Sequence, residues 1–196
     1  MALFSKKTLV LVLSLAALLT SIDSYATTKA QAKPVAAQKL STLDGKFSFS
    51  LPKGYVANAM PAGKEESNTA GATGTMYVSQ TDRRVIIAAE NKLSEGLPTG
   101  NNDDAFLDSA VTGFVNQQTK ALGNFKQTGE NRFTSKGLGV REIDSTATMG
   151  GGATLNTTFL AGSGNRVSVV QVISRADDQA GHAALIKRIV DKLRAP

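Results

Sequence analysis

The chain has no cysteine and a single histidine, His182, in 196 residues. The first absence excludes a cysteine nucleophile, thiolate-ligated zinc and any disulfide crosslink. It also leaves no thiol for lipid attachment at an export cleavage site. With one histidine, neither a metal site nor a nucleophilic triad has the side chains it usually needs. Aromatic residues make up 6% of the chain and no basic stripe is interleaved with them, so nucleic acid is not an expected partner. Beyond the first twenty residues, no apolar run approaches the ~20 residues of a membrane-spanning helix.

What is present begins at the N-terminus. Lys6 and Lys7 form a short positive stretch, Thr8 to Thr20 runs apolar without a charge, and Ser24-Tyr25-Ala26 places small residues at −3 and −1 of a cleavage site. This pattern predicts a secretory signal peptide over 1–26 and a soluble periplasmic chain after cleavage near Ala26. The alternative is an uncleaved inner-membrane anchor, for which the apolar run is short. Residues 27–41, rich in Ala, Gln, Thr and Lys, read as a flexible linker. Residues 42–196 read as one domain, long enough to bury ~70% of its unfolded surface without crosslinks. The formal charge of +6 falls by one when Lys6, Lys7 and Asp23 leave with the leader. Such a balance is scattered surface charge, with weak attraction to anionic headgroups as the alternative.

Along the domain, Phe47-Ser48-Phe49-Ser50-Leu51 alternates as a half-buried strand and stops at Pro52 and Gly54. Asn58 to Gly74 reads as a long loop. Met76–Val78 and Val85–Ala89 are strands turned at Thr81-Asp82-Arg83, and Ser94 to Asn102 is a second long loop. Asp103-Asp104 opens a helix whose stripe is Phe106, Leu107, Ala110, Val111, Phe114 and Leu122, stopped by Gly123. Then come strands over Phe125–Phe133, Leu138–Thr148, Thr154–Leu160 and Arg166–Ile173, separated by Ser135-Lys136-Gly137, Gly150–Gly152 and Gly162–Asn165. The last strand is apolar on both faces near its middle, which predicts a central place covered on each side. A helix from about Asp177 to Leu193 closes the chain, with His182, Leu185, Ile186, Ile189, Val190 and Leu193 on one face. Hairpins rather than βαβ crossovers predict an α+β fold with a mainly antiparallel sheet and flanking helices.

No constellation in this order carries chemistry. His182 sits on the edge of an apolar stripe, and no motif supplies it with a base or orienter, so it reads as a partly packed surface histidine. The glycines at 150–152 and 162–164 precede strands, whereas a phosphate loop must precede a helix; they are hairpin turns. Asp103-Asp104 and Asp177-Asp178 read as helix N-terminal carboxylates, Glu65-Glu66 as a solvated loop, and Arg83-Arg84 as turn solvation rather than an anion clamp. No catalytic residue, metal or cofactor is expected.

The stretch Leu43-Asp44-Gly45-Lys46-Phe47-Ser48-Phe49-Ser50-Leu51-Pro52 resembles the opening of the DcrB family of enterobacterial envelope proteins, and Ala176-Asp177-Asp178-Gln179 resembles its entry to the last helix. The resemblance spans 42–196 and is dense only over those two blocks. It implies the MOG/PsbP-like sandwich, a role in envelope integrity and membrane homeostasis, uptake of certain phage DNA, and no established catalytic residue. The family's namesake is a lipoprotein with a cysteine at its processing site, where this chain has Ala26.

The expected function is therefore non-enzymatic, through contact with an envelope protein or the inner-membrane surface; the sequence does not fix an oligomeric state. A carrier of a small apolar ligand is the alternative, to be marked by a cavity lined by Phe47, Phe49 and Phe114. A third reading, a hydrolase, requires Glu65 or Glu66 to approach Glu95.

Overall fold

A strand with apolar residues on one side only must lay that side on something, and here the partner is a second, larger sheet. The computed structural model describes residues 37–63, 72–93 and 99–195. The predicted leader and the carboxylates Glu65, Glu66 and Glu95 lie outside these residues.

Strands β1 (Lys39–Thr42) and β2 (Phe47–Ser50) form an antiparallel hairpin around a tight turn at Leu43–Gly45. Leu43 and Asp44 take φ of 52° and 56°, a region that costs a side chain about 1–2 kcal/mol. Burial of the Leu43 side chain in the core offsets that cost. Residues 39–41, expected as part of the 27–41 linker, are strand instead. Leu40 is fully buried and Thr42 Oγ1 lies 2.7 Å from Ser168 Oγ, so the chain is ordered by packing from Lys39 onward.

The large sheet holds β3 (Val56–Ala59), β4 (Thr73–Ser79), β5 (Arg84–Lys92), β6 (Gly123–Ser135), β7 (Leu138–Met149), β8 (Gly152–Ser163) and β9 (Arg166–Arg175). Its order is β3-β4-β5-β9-β8-β7-β6, with every neighbouring pair antiparallel. Both ends of the loop expected over 58–74 are strand, because Asn58 and Ala59 pair with Met76 and Thr75, and Thr73 and Gly74 with Glu90 and Ala89.

Helix α1 (Asp104–Ala121) covers one sheet face through Leu107, Ala110, Val111 and Phe114. Helix α2 (Gln179–Arg194) and the β1–β2 hairpin cover the other. Strand β9 lies between β5 and β8 and is buried on both faces from Val167 to Ser174, as its sequence predicts. Glycine sets how closely α1 can enter: a Cβ on Gly162 would stand 2.5 Å from the Phe106 ring and 3.0 Å from Thr99.

The same layering removes the cavity expected of an apolar carrier. Phe47 and Phe49 pack edge to face at 6.0 Å on the α2 side, while Phe114 lies in the α1 layer across the sheet. The large sheet stands between the two sets of rings, and all three are buried in closed packing.

Candidate functional site

The α2 side is not covered to its edge. A cleft of about 670 Å³ opens between α2 and the strands β6 to β8. Its floor comes from alternation: Glu142 and Asp144 stand two apart on β7, and Leu155 and Thr157 two apart on β8, so all four face α2. Its wall is one stripe of α2, in which Ala183, Ile186, Val190 and Arg194 recur at helical spacing.

A bulge shapes the outer rim. Gln127 pairs with Ser145 and Gly129 with Asp144, leaving Thr128 as the extra residue that lines the cleft. A Cβ at Gly129 would lie 3.2 Å from Asp144 Oδ2, so a larger residue there would need the carboxylate to shift by a few tenths of an ångström.

His182 is the centre of the site's hydrogen bonding. It is 9% exposed, so it is buried rather than a surface histidine. Thr157 donates its hydroxyl proton to Asp144 Oδ1 at 2.6 Å. It can then only accept at its 3.0 Å contact with His182, which makes Nε2 the protonated nitrogen. Nδ1 is left to accept from the Ser174 hydroxyl at 2.9 Å. The sequence shows none of this, because the partners are hydroxyls on β8 and β9 with no characteristic spacing to a histidine.

The order along the chain of bonds decides what it can do. A hydrolytic triad needs the imidazole between carboxylate and hydroxyl. Here Thr157 stands between Asp144 and His182, and Ser174, the hydroxyl on the far nitrogen, is 1% exposed. The arrangement joins α2 to the sheet.

Burial holds the His182 imidazole below its ordinary pKa, with Arg84 acting in the same direction and Asp144 and Asp178 opposing. The folded state therefore favours the neutral ring, while the unfolded chain takes a proton near pH 6.5. Stability from this group is complete above about pH 6.5 and is lost as pH falls below it. His182→Gln should flatten that decline: between pH 6.5 and 5 the wild type should lose up to about 1.4 kcal/mol per pH unit more than the variant. Urea unfolding midpoints at pH 7.5, 6 and 5 check this, and parallel profiles would refute it.

Glu142 is perturbed the other way. Burial and the nearby Asp144 push its carboxyl up, against the field of Arg194 and a hydrogen bond from Asn131.

The remaining acidic and basic pairs are structural. Asp103 caps α1 as expected, accepting from the Phe106 N–H at 2.9 Å. Asp104 instead reaches Arg141 on β7. Asp178 precedes α2 without a side-chain cap bond; it takes the Nε and Nη2 of Arg84 at 2.9 and 2.5 Å. Asp177 pairs with Arg175. Thus the cap reading of Asp177-Asp178 gives way to ion pairs, because two arginines on the neighbouring strands β5 and β9 outcompete the helix N–H groups. Arg84 clamps an internal carboxylate rather than solvating a turn, while Arg83 takes the turn position with φ 51°. Gly150 and Gly151 turn β7 into β8, and Gly164 lies between β8 and β9, as the hairpin reading requires. Among the described residues no group of His, Asp or Glu is placed to hold a metal, and no helix is long and apolar enough to cross a membrane.

No protein-family model matches the chain, and no curated protein matches it. Solved structures resemble it in shape. PsbP from the cyanobacterium Synechocystis sp. PCC 6803 (CyanoP) is 7% identical with a TM-score of 0.56, over 86% of this chain and 97% of that one. PA94 from Pseudomonas aeruginosa is 13% identical at TM-score 0.45, over 82% and 96%. LpqN of Mycobacterium tuberculosis, involved in cell envelope biogenesis, is 15% identical at TM-score 0.39, over 84% of each chain. Such identities speak to fold alone, and the first superposition carries it. The chain has the PsbP-like α+β fold, an antiparallel sheet flanked by helices.

Proposed function

We propose that this protein is an exported, non-catalytic member of the DcrB family that maintains the cell envelope by binding a partner protein in the α2 cleft. The carrying observation is the engagement of His182: both ring nitrogens are held by hydroxyls, so the cleft's histidine is used to fix its wall. Beside it the cleft keeps a half-buried apolar edge at Ile186 and Val190, a surface suited to docking. The sequence blocks 43–52 and 176–179 support the family, and the 1–26 pattern supports export.

Disruption of the gene in its own bacterium should raise permeability to bulky apolar dyes. The full chain should restore the barrier, and mass spectrometry of the periplasmic fraction should find a mature N-terminus at Thr27. A chain lacking 1–26 should not restore it. Ile186→Asp with Val190→Asp, verified as folded by circular dichroism, should also fail. Complementation from the cytoplasm by the leaderless chain would overturn the proposal.

A further inference from the structure

Glu142 is 8% exposed, and carboxylates so deeply placed in folded proteins are almost always paired with a cation. Among the described residues no Lys, Arg or His nitrogen lies within 4 Å of the carboxylate of either Glu142 or Asp144. The two acids are same-face neighbours on β7, so each raises the cost of the other's charge. Asn131 gives Glu142 a hydrogen bond and Arg194 a favourable field, but neither pairs the carboxylate with a cation at close range. Lys187 Nζ sits 2.7 Å from Asp191, and the Arg194 guanidinium lies over the Phe133 ring, 4.8 Å from its centroid.

This floor selects an occupant. An anionic ligand would meet two carboxylates. A wholly apolar one would strip them of water and give nothing in return. A cation gains from both, and apolar groups beside it gain from Ile186, Val190 and Leu155. The wall from Ala183 to Arg194 is about 16 Å long at ~1.5 Å per residue, which matches about five residues of extended chain at ~3.3 Å each. A small amine would leave most of that length empty.

We infer that the cleft binds a short basic segment of a partner protein, in which a Lys or Arg side chain reaches Glu142 and Asp144 while its apolar neighbours lie along Ile186 and Val190. The inference rests on the reading of the cleft as the docking place and names the chemistry of what docks.

The probe is the labelled peptide acetyl-Leu-Lys-Ile-Arg-Val-amide, titrated into the purified whole chain at 150 mM salt and followed by fluorescence anisotropy. Versions with Glu or Gln at the two basic positions serve as comparison. The basic peptide should bind at least tenfold tighter than the Gln version, and the Glu version should not bind. Glu142→Gln with Asp144→Asn should weaken the basic peptide about tenfold; Glu142→Gln alone serves if the pair disturbs folding. Independently of any variant, amide shifts in wild-type spectra should move at Ala183, Ile186 and Val190.

Equal affinity for basic and Gln peptides, unchanged affinity in the double variant, or equal binding of spermidine in the cleft would overturn the inference. If the basic peptide fails while Ile186→Asp with Val190→Asp still abolishes complementation, the charge assignment falls and the docking site stands. If that variant complements fully, both fall.

Discussion

Arg141→Ala should lower the unfolding free energy by about 2–5 kcal/mol, read as a shift of the urea midpoint without a change of slope. The Arg141 side chain is 2% exposed, an unusual burial for a guanidinium, and it lies on the α1 face of β7. Its Nε reaches Asp108 at 2.9 Å and its Nη2 reaches Asp104 at 2.6 Å, both on α1. Those carboxylates are 49% and 69% exposed, so water compensates them readily once the arginine is gone. The loss is then mainly the cavity and the packing of the arginine stem. Arg141→Met, which fills the space without a charge, should recover most of the stability. The opposite cut, Asp104→Asn with Asp108→Asn, leaves a buried guanidinium without counter-charge and should cost more than Arg141→Met. Equal losses for Arg141→Ala and Arg141→Met would show instead that the ion pairs carry the anchoring of α1.

How far the sequence discloses this molecule follows from the range of each interaction. Alternation and helical spacing are local, and they give the strands of the meander, both helices and the antiparallel character of the sheet. The central place of Val167–Ser174 is also local, since a strand apolar on both faces must be covered twice. The layer assignment is not local. Phe47, Phe49 and Phe114 are similar residues, yet the route of the chain carries the first two, on the hairpin, to the α2 face and the third, on α1, to the other. The hidden strand at Lys39–Thr42 has a polar composition, and only its pairing with β2 orders it. The candidate site was least legible. His182 carries no signal of Thr157 or Ser174, because threonine and serine are abundant in any strand; the register that aligns β7, β8 and β9 creates the relay. The acidic floor is visible as Glu142 and Asp144 at spacing two, but its lack of a cation is a property of the assembled cleft. Likewise, a helix-start carboxylate such as Asp178 is redirected by an arginine 94 positions away.

Phe159 and Thr158 are consecutive on β8, and substitutions of them should move stability in opposite directions. Phe159 faces α2 and is 1% exposed, with ring centroids 6.3 Å from Phe47 and 6.5 Å from Phe133. It joins the β1–β2 hairpin to the large sheet. Phe159→Ala should cost about 3–5 kcal/mol, because its two aromatic neighbours, fixed on separate strands, cannot close the cavity. Thr158 faces α1 and is fully buried, and its hydroxyl has no hydrogen-bond partner among the described residues. The amide of Gln171, its cross-strand neighbour, is likewise unpartnered at both nitrogen and oxygen. An unpaired buried hydroxyl costs folding free energy, since the unfolded chain satisfies it with water. Thr158→Val keeps the branched shape and removes the cost, so it should raise stability by about 1 kcal/mol. Urea midpoints of the two variants against wild type test the pair. A loss of 1 kcal/mol or more in Thr158→Val would mean that the hydroxyl is bonded in solution and that the α1 face of the sheet is a satisfied polar network. A gain would place the cost at the unpartnered Thr158 hydroxyl, which stands beside the equally unpartnered amide of Gln171 across the strand pair.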